Sequence, residues 1–156
     1  MKIESRLSYL VPFEKRHLND PKYFEWLTDF EVVRFIGRDE YLKPIQFEKV
    51  REYVEDLWQS KHCYFFAIHH SKDDVFIGTA KINYLNEAGL STRTADIGIM
   101  IGDRRYWGKG IATDALFALC QYAFNTQGAR LLRDMLNREG HKTGRKHVAT
   151  LMSRLG

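Results

Sequence analysis

The sequence predicts an α+β protein, in which helices flank a mostly antiparallel sheet. Three strand-like segments follow one another through short polar links, as is typical of an antiparallel meander. The predicted order along the chain is strand, helix, helix, three strands, turn and helix. The 156 residues are 44% hydrophobic and 28% charged, a composition that can bury a core and that fits one domain of ordinary size.

The first strand and two helices make up the predicted N-terminal part. The alternating segment 6–13 predicts the strand, which ends near Pro12. Asp20 is a suitable N-cap and Pro21 a suitable first residue for a short helix. Helical spacing of apolar residues predicts a second, amphipathic helix that extends to about Ser60. Its apolar residues are Phe47, Val50, Val54 and Leu57.

The three strands of the predicted meander span residues 63–70, 75–85 and 94–102. Polar segments link them, as is expected for turns and loops between strands. His69 and His70 are adjacent in a strand and therefore point to opposite faces, so they cannot easily share a metal ion. The six histidines show no metal-binding spacing, and no metal site is predicted.

A polar turn at 103–110 and a helix from Ile111 to about Asn125 follow the third strand. Gly108 and Gly110 allow a tight bend and let a ligand approach the amide N–H groups. The first N–H groups of a helix lack internal partners, and the helix dipole favours an anion there. We therefore predict a pyrophosphate site at this turn. Positive charge is added by Arg104, Arg105 and Lys109.

Three nucleotide-binding patterns can be compared with this turn. A Walker loop is excluded because Lys109 is followed by Gly110 and not by Ser or Thr. A dinucleotide fingerprint fits poorly, since Thr113 stands where Gly or Ala is needed. The pattern R/Q-x-x-G-x-G/A fits fully, with Arg105, Gly108 and Gly110 at its fixed positions. The alternative is that the turn is only a tight connection.

The segments ADIGIMIG at 95–102 and YWGKGIATDA at 106–115 resemble the GNAT superfamily of acyl-CoA N-acyltransferases. The likeness is greatest to the branch that includes ribosomal-protein and small-amine acetyltransferases, and it covers residues 6–127. It implies a GNAT-like fold, acetyl-CoA as acyl donor, and acetyl transfer to a primary amine of a small molecule or protein N-terminus.

The resemblance also implies roles for individual residues. Main-chain groups of Met100, Ile101 and Gly102 would pair with the pantetheine arm, and Gly98 would lie near a bulge that opens the cleft. Attack by a neutral amine requires a base, and Asp96 is the candidate, directly or through water; a surface-facing carboxylate is the alternative. The remaining CoA-binding residues would be Arg105, Tyr106, Trp107, Gly108, Lys109, Gly110, Ile111, Ala112 and Thr113.

The segment 128–156 departs from the family pattern, which normally continues with a strand, a helix and two more strands. It predicts two helices joined by a turn at 139–141, and from residue 129 it carries a net charge of +5, against −1 for the rest. It resembles the N-terminal helical region of insertion-element transposases. We therefore expect an incomplete GNAT-like domain at 1–127 and a basic helix-turn-helix-like tail at 128–156. The alternative is a divergent acetyltransferase with basic last helices.

Several expectations follow for partners and location. Strand 94–102 would have an exposed edge, which favours a homodimer. The rival functions are a catalytically impaired CoA-binding remnant and weak DNA binding through the tail. No apolar run approaches the roughly 20 residues of a membrane helix and no signal peptide is recognised, so a cytoplasmic location without a membrane partner is expected. Cys63 and Cys120 are expected to be reduced, buried thiols.

Overall fold

The computed structural model describes residues 1–34, 36, 43–84 and 95–138, with side chains described as far as residue 125. The strands are β1 (Ile3–Glu4), β2 (Ser8–Pro12), β3 (Cys63–His70), β4 (Phe76–Tyr84) and β5 (Ala95–Ile101). They form one sheet in the order β1-β2-β3-β4-β5, and every neighbouring pair is antiparallel. The predicted fold class and the meander of three strands are confirmed.

The helices of the N-terminal half are α1 (Lys15–Leu18), α2 (Pro21–Thr28), α3 (Phe30–Val33) and α4 (Phe47–Gln59). The predicted cap of α2 is confirmed, because the Asp20 carboxylate accepts a hydrogen bond from the Lys22 amide at 3.1 Å. Asp29 caps α3 in the same way, through the Glu31 amide at 2.9 Å. Strand β1 and helices α1 and α3 were not predicted, since segments of two to four residues are too short to show a period.

Hydrophobic side chains are buried on both faces of the sheet, so the sheet is the middle of three layers. The face covered by the C-terminal helix α5 (Ile111–Arg138) buries Leu10, Phe66, Ile68, Ile82 and Leu119. The face covered by α1 to α4 buries Phe13, Trp26, Val50, Val54 and Ala67. The N-terminal end of α5 is also fixed to the turn between β1 and β2, because the Leu7 amide donates to the Asp114 carboxylate at 2.8 Å.

Helix α5 is longer than the sequence indicated, and its predicted end near Asn125 is wrong. It has 28 residues and continues through Gly128 to Arg138. A glycine inside a helix costs only about 1 kcal/mol relative to alanine, and the flanking alanine and leucines are strong helix formers. The first predicted tail helix is therefore a continuation of α5. The predicted turn at 139–141 and second tail helix lie outside the described residues, and the division at residue 127 stays a prediction.

The bulge expected near Gly98 is absent from the pairing of β5 with β4. The register is unbroken from Gly78 opposite Ile101 to Tyr84 opposite Ala95. A Cβ on Gly98 would lie 3.3 Å from two methylene carbons of Lys81, its partner across the ladder. The glycine therefore makes room for the Lys81 side chain and does not mark a bulge.

The two cysteines differ in exposure. Both are free thiols; Cys63 is half-buried and Cys120 is exposed on α5. Burial raises the pKa of the Cys63 thiol, so it is a poor nucleophile. The expectation of burial is wrong for Cys120, because the adjacent Leu119 occupies the face of α5 that meets the sheet.

Candidate active site

A cavity of about 860 Å³ lies between strand β5, the turn after it and helices α2 to α4. Strand β5 and its neighbour β4 contribute one wall, the turn and the start of α5 contribute a second, and residues of α2, α3 and α4 contribute the third. The predicted anion-binding turn and the sheet face below α4 therefore belong to one continuous space. The residues that line this space include Glu31, Tyr53, Lys81, Gly98, Ile99, Ile101, Trp107 and Gly108.

The first part of the predicted turn is a short 3-10 helix, Arg104–Tyr106, whose main-chain amides are already bonded. The Arg105 amide donates to the Asp103 carboxylate at 3.1 Å. The amides of Tyr106 and Trp107 donate to the carbonyls of Asp103 and Arg104 at 3.0 and 3.1 Å. The amides of Arg105, Tyr106 and Trp107, the first three residues of the turn predicted to bind CoA, are therefore engaged. Asp103 is a buried N-cap that organises this part of the turn.

The second part of the turn presents a row of unbonded amides. The amides of residues 108–113 have no hydrogen-bond acceptor among the described residues, and the first main-chain bond of α5 runs from the Asp114 amide to the Gly110 carbonyl at 3.0 Å. Gly108 and Gly110 have φ angles of +70° and +76°, a conformation that favours glycine. Unbonded amides at a helix start attract an anion, so this row is the part of the turn that can accept one.

The three basic side chains at the turn have different surroundings. The Arg105 guanidinium binds the Asp103 carboxylate at 2.6 Å, and this hydrogen bond holds the pKa of Asp103 below its usual value. The Arg104 guanidinium lies 3.7 Å from the Asp29 carboxylate. Lys109 has no carboxylate partner among the described residues, and its ammonium lies 5.4 Å from the Tyr106 ring centre. Lys109 is therefore the cation best placed to meet a phosphate.

Strand β5 is the last strand of the sheet among the described residues. Its main-chain groups alternate between the β4 side and the opposite side, which is called the open edge because no described strand pairs with it. The Gly102 amide donates to the Ile77 carbonyl at 2.9 Å, and the Met100 carbonyl lies against Gly78 on the same side. Because alternate residues of a strand direct their N–H and C=O groups to the same neighbour, Ile99 and Ile101 face the open edge. Of the three residues predicted to pair with pantetheine, only Ile101 has this orientation.

The open edge is partly occupied by an internal contact. The Trp107 indole N–H donates to the Ile101 carbonyl at 2.7 Å. The amide and carbonyl of Ile99 and the amide of Ile101 have no hydrogen-bond partner among the described residues. Ile99 was not predicted as a residue of this edge. The register with β4 decides to which side a residue of β5 directs its main-chain groups, and the sequence of β5 alone does not show that register.

Asp96, the predicted base, lies apart from the turn. Its side chain is exposed, it pairs across the ladder with Asn83, and it is not among the cavity-lining residues. Met100 packs on the α1–α4 face of the sheet, and Asp96 and Gly98 share that face by alternation. At about 3.3 Å per residue, Asp96 lies roughly 7 Å along β5 from Gly98.

Three polar residues of the cavity were not predicted from the sequence. Lys81 on β4 donates from Nζ to the Tyr53 hydroxyl on α4 at 3.1 Å. Glu31 on α3 forms an ion pair with Arg34 at 3.2 Å. These residues come from separate elements and form no local motif, so only the tertiary structure brings them together.

Tyr106 also lines the cavity, but it is unsuited to act as a base. Its hydroxyl donates to the Asp73 carboxylate at 2.9 Å, and this hydrogen bond raises the pKa of Tyr106 above its usual value. Tyr106 therefore remains protonated at neutral pH.

Among residues 1–34, 36, 43–84 and 95–138, no three His, Cys, Asp or Glu side chains are grouped so that they could hold a metal ion. Over the same ranges, no helix has the length and apolar character needed to cross a membrane.

The antiparallel sheet, the open edge of β5 and the row of helix-start amides together define an acyltransferase-like class of fold. Residues 9–143 match the family described as the acetyltransferase (GNAT) domain. The chain belongs to this family. The match includes residues 128–143, so the likeness of that segment to transposases is unsupported.

Individual proteins show the same likeness. The chain is 26% identical over 118 residues to an alpha/beta-tubulin-N-acetyltransferase 9 of Drosophila melanogaster, covering 73% of this chain and 58% of the relative. It is 27% identical over 135 residues to an N-acetyltransferase 9-like protein of Caenorhabditis briggsae, covering 83% and 66%. The solved structure of RimL, a ribosomal L7/L12 alpha-N-protein acetyltransferase in complex with coenzyme A, aligns with TM-score 0.65 and 17% identity, covering 82% and 70%. The chain thus spans 58% of the length of the Drosophila relative.

Proposed function

We propose that this protein binds acetyl-CoA and transfers the acetyl group to a primary amine. Membership of the GNAT family supports the reaction class. The observation that carries the proposal is the row of unbonded amides at residues 108–113, with Lys109 beside it. The RimL structure, which has a similar fold, contains coenzyme A.

The donor would lie along the turn and the strand edge. The amides of residues 108–113 would hold the pyrophosphate, and the Thr113 hydroxyl, exposed in the first turn of α5, would add a donor. The pantetheine arm would pair with Ile99 and Ile101 as a peptide pairs with a sheet edge. This direction brings the thioester toward Gly98, away from the turn.

The transfer requires one new bond and one broken bond. The nitrogen of a neutral amine attacks the thioester carbonyl carbon, the C–S bond breaks, and the thiolate leaves with the electron pair. The amine proton must pass to a base. The proposed base is Asp96, because it lies on the same sheet face as Gly98. It would act through a water molecule, because its side chain is outside the cavity lining.

Calorimetric titration with acetyl-CoA tests the donor site. Gly108→Asp should raise the Kd at least about tenfold, because a side chain opposes the positive φ and a carboxylate repels the pyrophosphate. Lys109→Met should raise it by a smaller factor. Lys72→Met, which removes an exposed lysine outside the cavity, is the matched control and should leave the Kd unchanged.

The same titration can overturn the proposal. Circular dichroism must show that each variant is folded. Equal acetyl-CoA affinity for the wild type, Gly108→Asp and the control, or no affinity in a folded wild type, would remove the turn as the donor site. Tight binding without acetylation of any amine in a screen would instead support a CoA-binding protein without transferase activity.

Three further sequence predictions remain proposals. Strand β5 is the edge strand among the described residues, which supports a homodimer through that edge. The net charge of the segment after residue 128 supports weak, salt-sensitive DNA binding. A cytoplasmic location is the third.

A further inference from the structure

We propose that Lys81 binds a carboxylate of the acceptor, so that the amines acetylated by this protein are amino acids or other amines that carry a carboxylate. This inference rests on the proposed function, because it assigns one end of the cavity to the acceptor. It adds the chemical class of that acceptor and the residue that selects it.

Lys81 lies at the end of the cavity where the acceptor must meet the thioester. It is opposite Gly98 in the ladder, three residues along β5 from Ile101. At about 3.3 Å per residue, this places Gly98 roughly 10 Å from the part of β5 that adjoins the turn. A cation so far from the row of amides is poorly placed to hold the pyrophosphate and well placed for a group on the acceptor.

Three neighbours fix the position of the Lys81 side chain. Gly98 offers a flat surface to its methylene carbons, two of which lie 3.3 Å from where a Cβ would stand. Its Nζ donates to the Tyr53 hydroxyl at 3.1 Å and lies 5.7 Å from the centre of the Tyr53 ring. Phe65, its second ladder partner, also lines the cavity. Because the flexible stem is already held, binding an anion loses little further side-chain entropy.

The charges in the cavity favour an anionic guest at Lys81. Among the described lining residues, only Glu31 and Lys81 carry a formal charge. Glu31 is engaged in an ion pair with Arg34 at 3.2 Å. No carboxylate of the described residues lies within ion-pair distance of Lys81. The described residues therefore leave its positive charge unbalanced in a partly enclosed space, where a charge interaction is stronger than in water.

The number of donors fits a carboxylate. An ammonium group has three N–H donors, and Tyr53 accepts one from Lys81. The described residues accept neither of the other two, and two donors match the two oxygens and single charge of a carboxylate. Tyr53 thus acts as a positioning residue, while Lys81 contacts the substrate.

The test compares amino acids with their amides as acceptors. We suggest α-, β- and γ-amino acids, each paired with the amide that lacks the carboxylate charge, with kcat and KM measured for both members. Lys81→Met keeps most of the side-chain volume and removes the charge. It should lower kcat/KM about 10- to 100-fold for the preferred acid, mainly through KM, and leave its amide and the KM of acetyl-CoA within about twofold.

Two variants complete the design. Lys81→Arg retains the charge and should preserve most of the preference for the acid, which also keeps the test valid if the methionine variant folds poorly. Lys72→Met is the control for loss of a lysine outside the cavity. The ratio of kcat/KM in the variant to kcat/KM in the wild type is taken for each acceptor separately, so that the different basicities of acids and amides cancel.

The outcomes separate this inference from the proposed function. If the protein acetylates amines but Lys81→Met lowers kcat/KM equally for acids and amides, or for neither, the inference is overturned and the transferase proposal stays intact. Failure of folded wild-type protein to bind acetyl-CoA overturns both. A loss confined to the acids, restored by arginine, supports the inference.

Discussion

Gly108 and Gly110 show how two small residues can set the direction of a row of main-chain amides. Neither is needed for space, since a Cβ at either position would find no heavy atom within 4 Å. Both are needed for conformation, because φ is +70° and +76°. The direction of the amides at 108–113 therefore depends on backbone angles that most side chains oppose.

Gly110→Ala should consequently weaken acetyl-CoA binding without removing any contact. We expect a loss of about 1 kcal/mol in the free energy of unfolding from the strained φ, and a severalfold increase in the Kd. Urea unfolding and calorimetry measure the two effects. Gly110→Asn is the matched control, since asparagine tolerates the left-handed region; a Kd no better than that of the alanine variant would contradict the conformational explanation.

At the scale of the element, His17 joins α1 to the sheet through an unusual contact between two imidazoles. Its Nδ1 accepts the Glu14 amide at 2.9 Å, and its Nε2 lies 3.3 Å from Nε2 of His69 on β3. Burial, together with Arg16 and His69, lowers the pKa of His17 to about 4. Burial also lowers the pKa of His69. This contact is therefore built from neutral rings.

The protein should lose stability on mild acidification because of this pair. The pKa of His17 falls from 6.5 to about 4 on folding, so burying the neutral ring leaves the free energy of unfolding at its full value above pH 6.5. The free energy of unfolding then decreases as the pH falls from 6.5 toward 4. By pH 5 the loss reaches about 2 kcal/mol. Urea unfolding at pH 7 and pH 5 should show it. In His17→Gln, the free energy of unfolding should change less between pH 7 and pH 5. An equally large change in this variant would mean that other groups cause the effect.

Elements with a clear period or cap could be predicted from the sequence. Asp20 and Pro21 predicted the start of α2, and the spacing of Val50 and Val54 predicted α4. The length of α5 could not be predicted, because a single glycine lowers helix stability without ending a helix. The glycine motif also predicted the turn.

The residues of the candidate site that could not be predicted from the sequence are placed there by contacts between separate strands and helices. Whether Ile99 or Met100 faces the open edge is decided by the register with β4. The meeting of Lys81 with Tyr53 requires α4 to lie over the sheet. Neither relation leaves a pattern within one segment of sequence.

On the scale of the whole molecule, two proposed partners compete for one surface. The open edge of β5 is the proposed place of the pantetheine arm and also of a second copy. A strand edge can pair with only one of them along the same residues. A ligand that binds only the monomer shifts the association equilibrium toward it.

Acetyl-CoA should therefore dissociate a homodimer that forms through β5. Sedimentation at several protein concentrations, with and without saturating acetyl-CoA, should show a larger monomer fraction when the ligand is present. Gly108→Asp provides the control, because it should dimerise normally and respond weakly to the ligand. A dimer that is unchanged by bound acetyl-CoA would place the interface elsewhere.

The unequal exposure of the two thiols has a practical use. Cys120 is exposed on α5, whereas Cys63 is half-buried with a raised pKa. A maleimide dye should attach first at Cys120, a position outside the cavity lining. The native sequence thus offers a single attachment point for fluorescence anisotropy or surface immobilisation, with the candidate active site left open to its ligands.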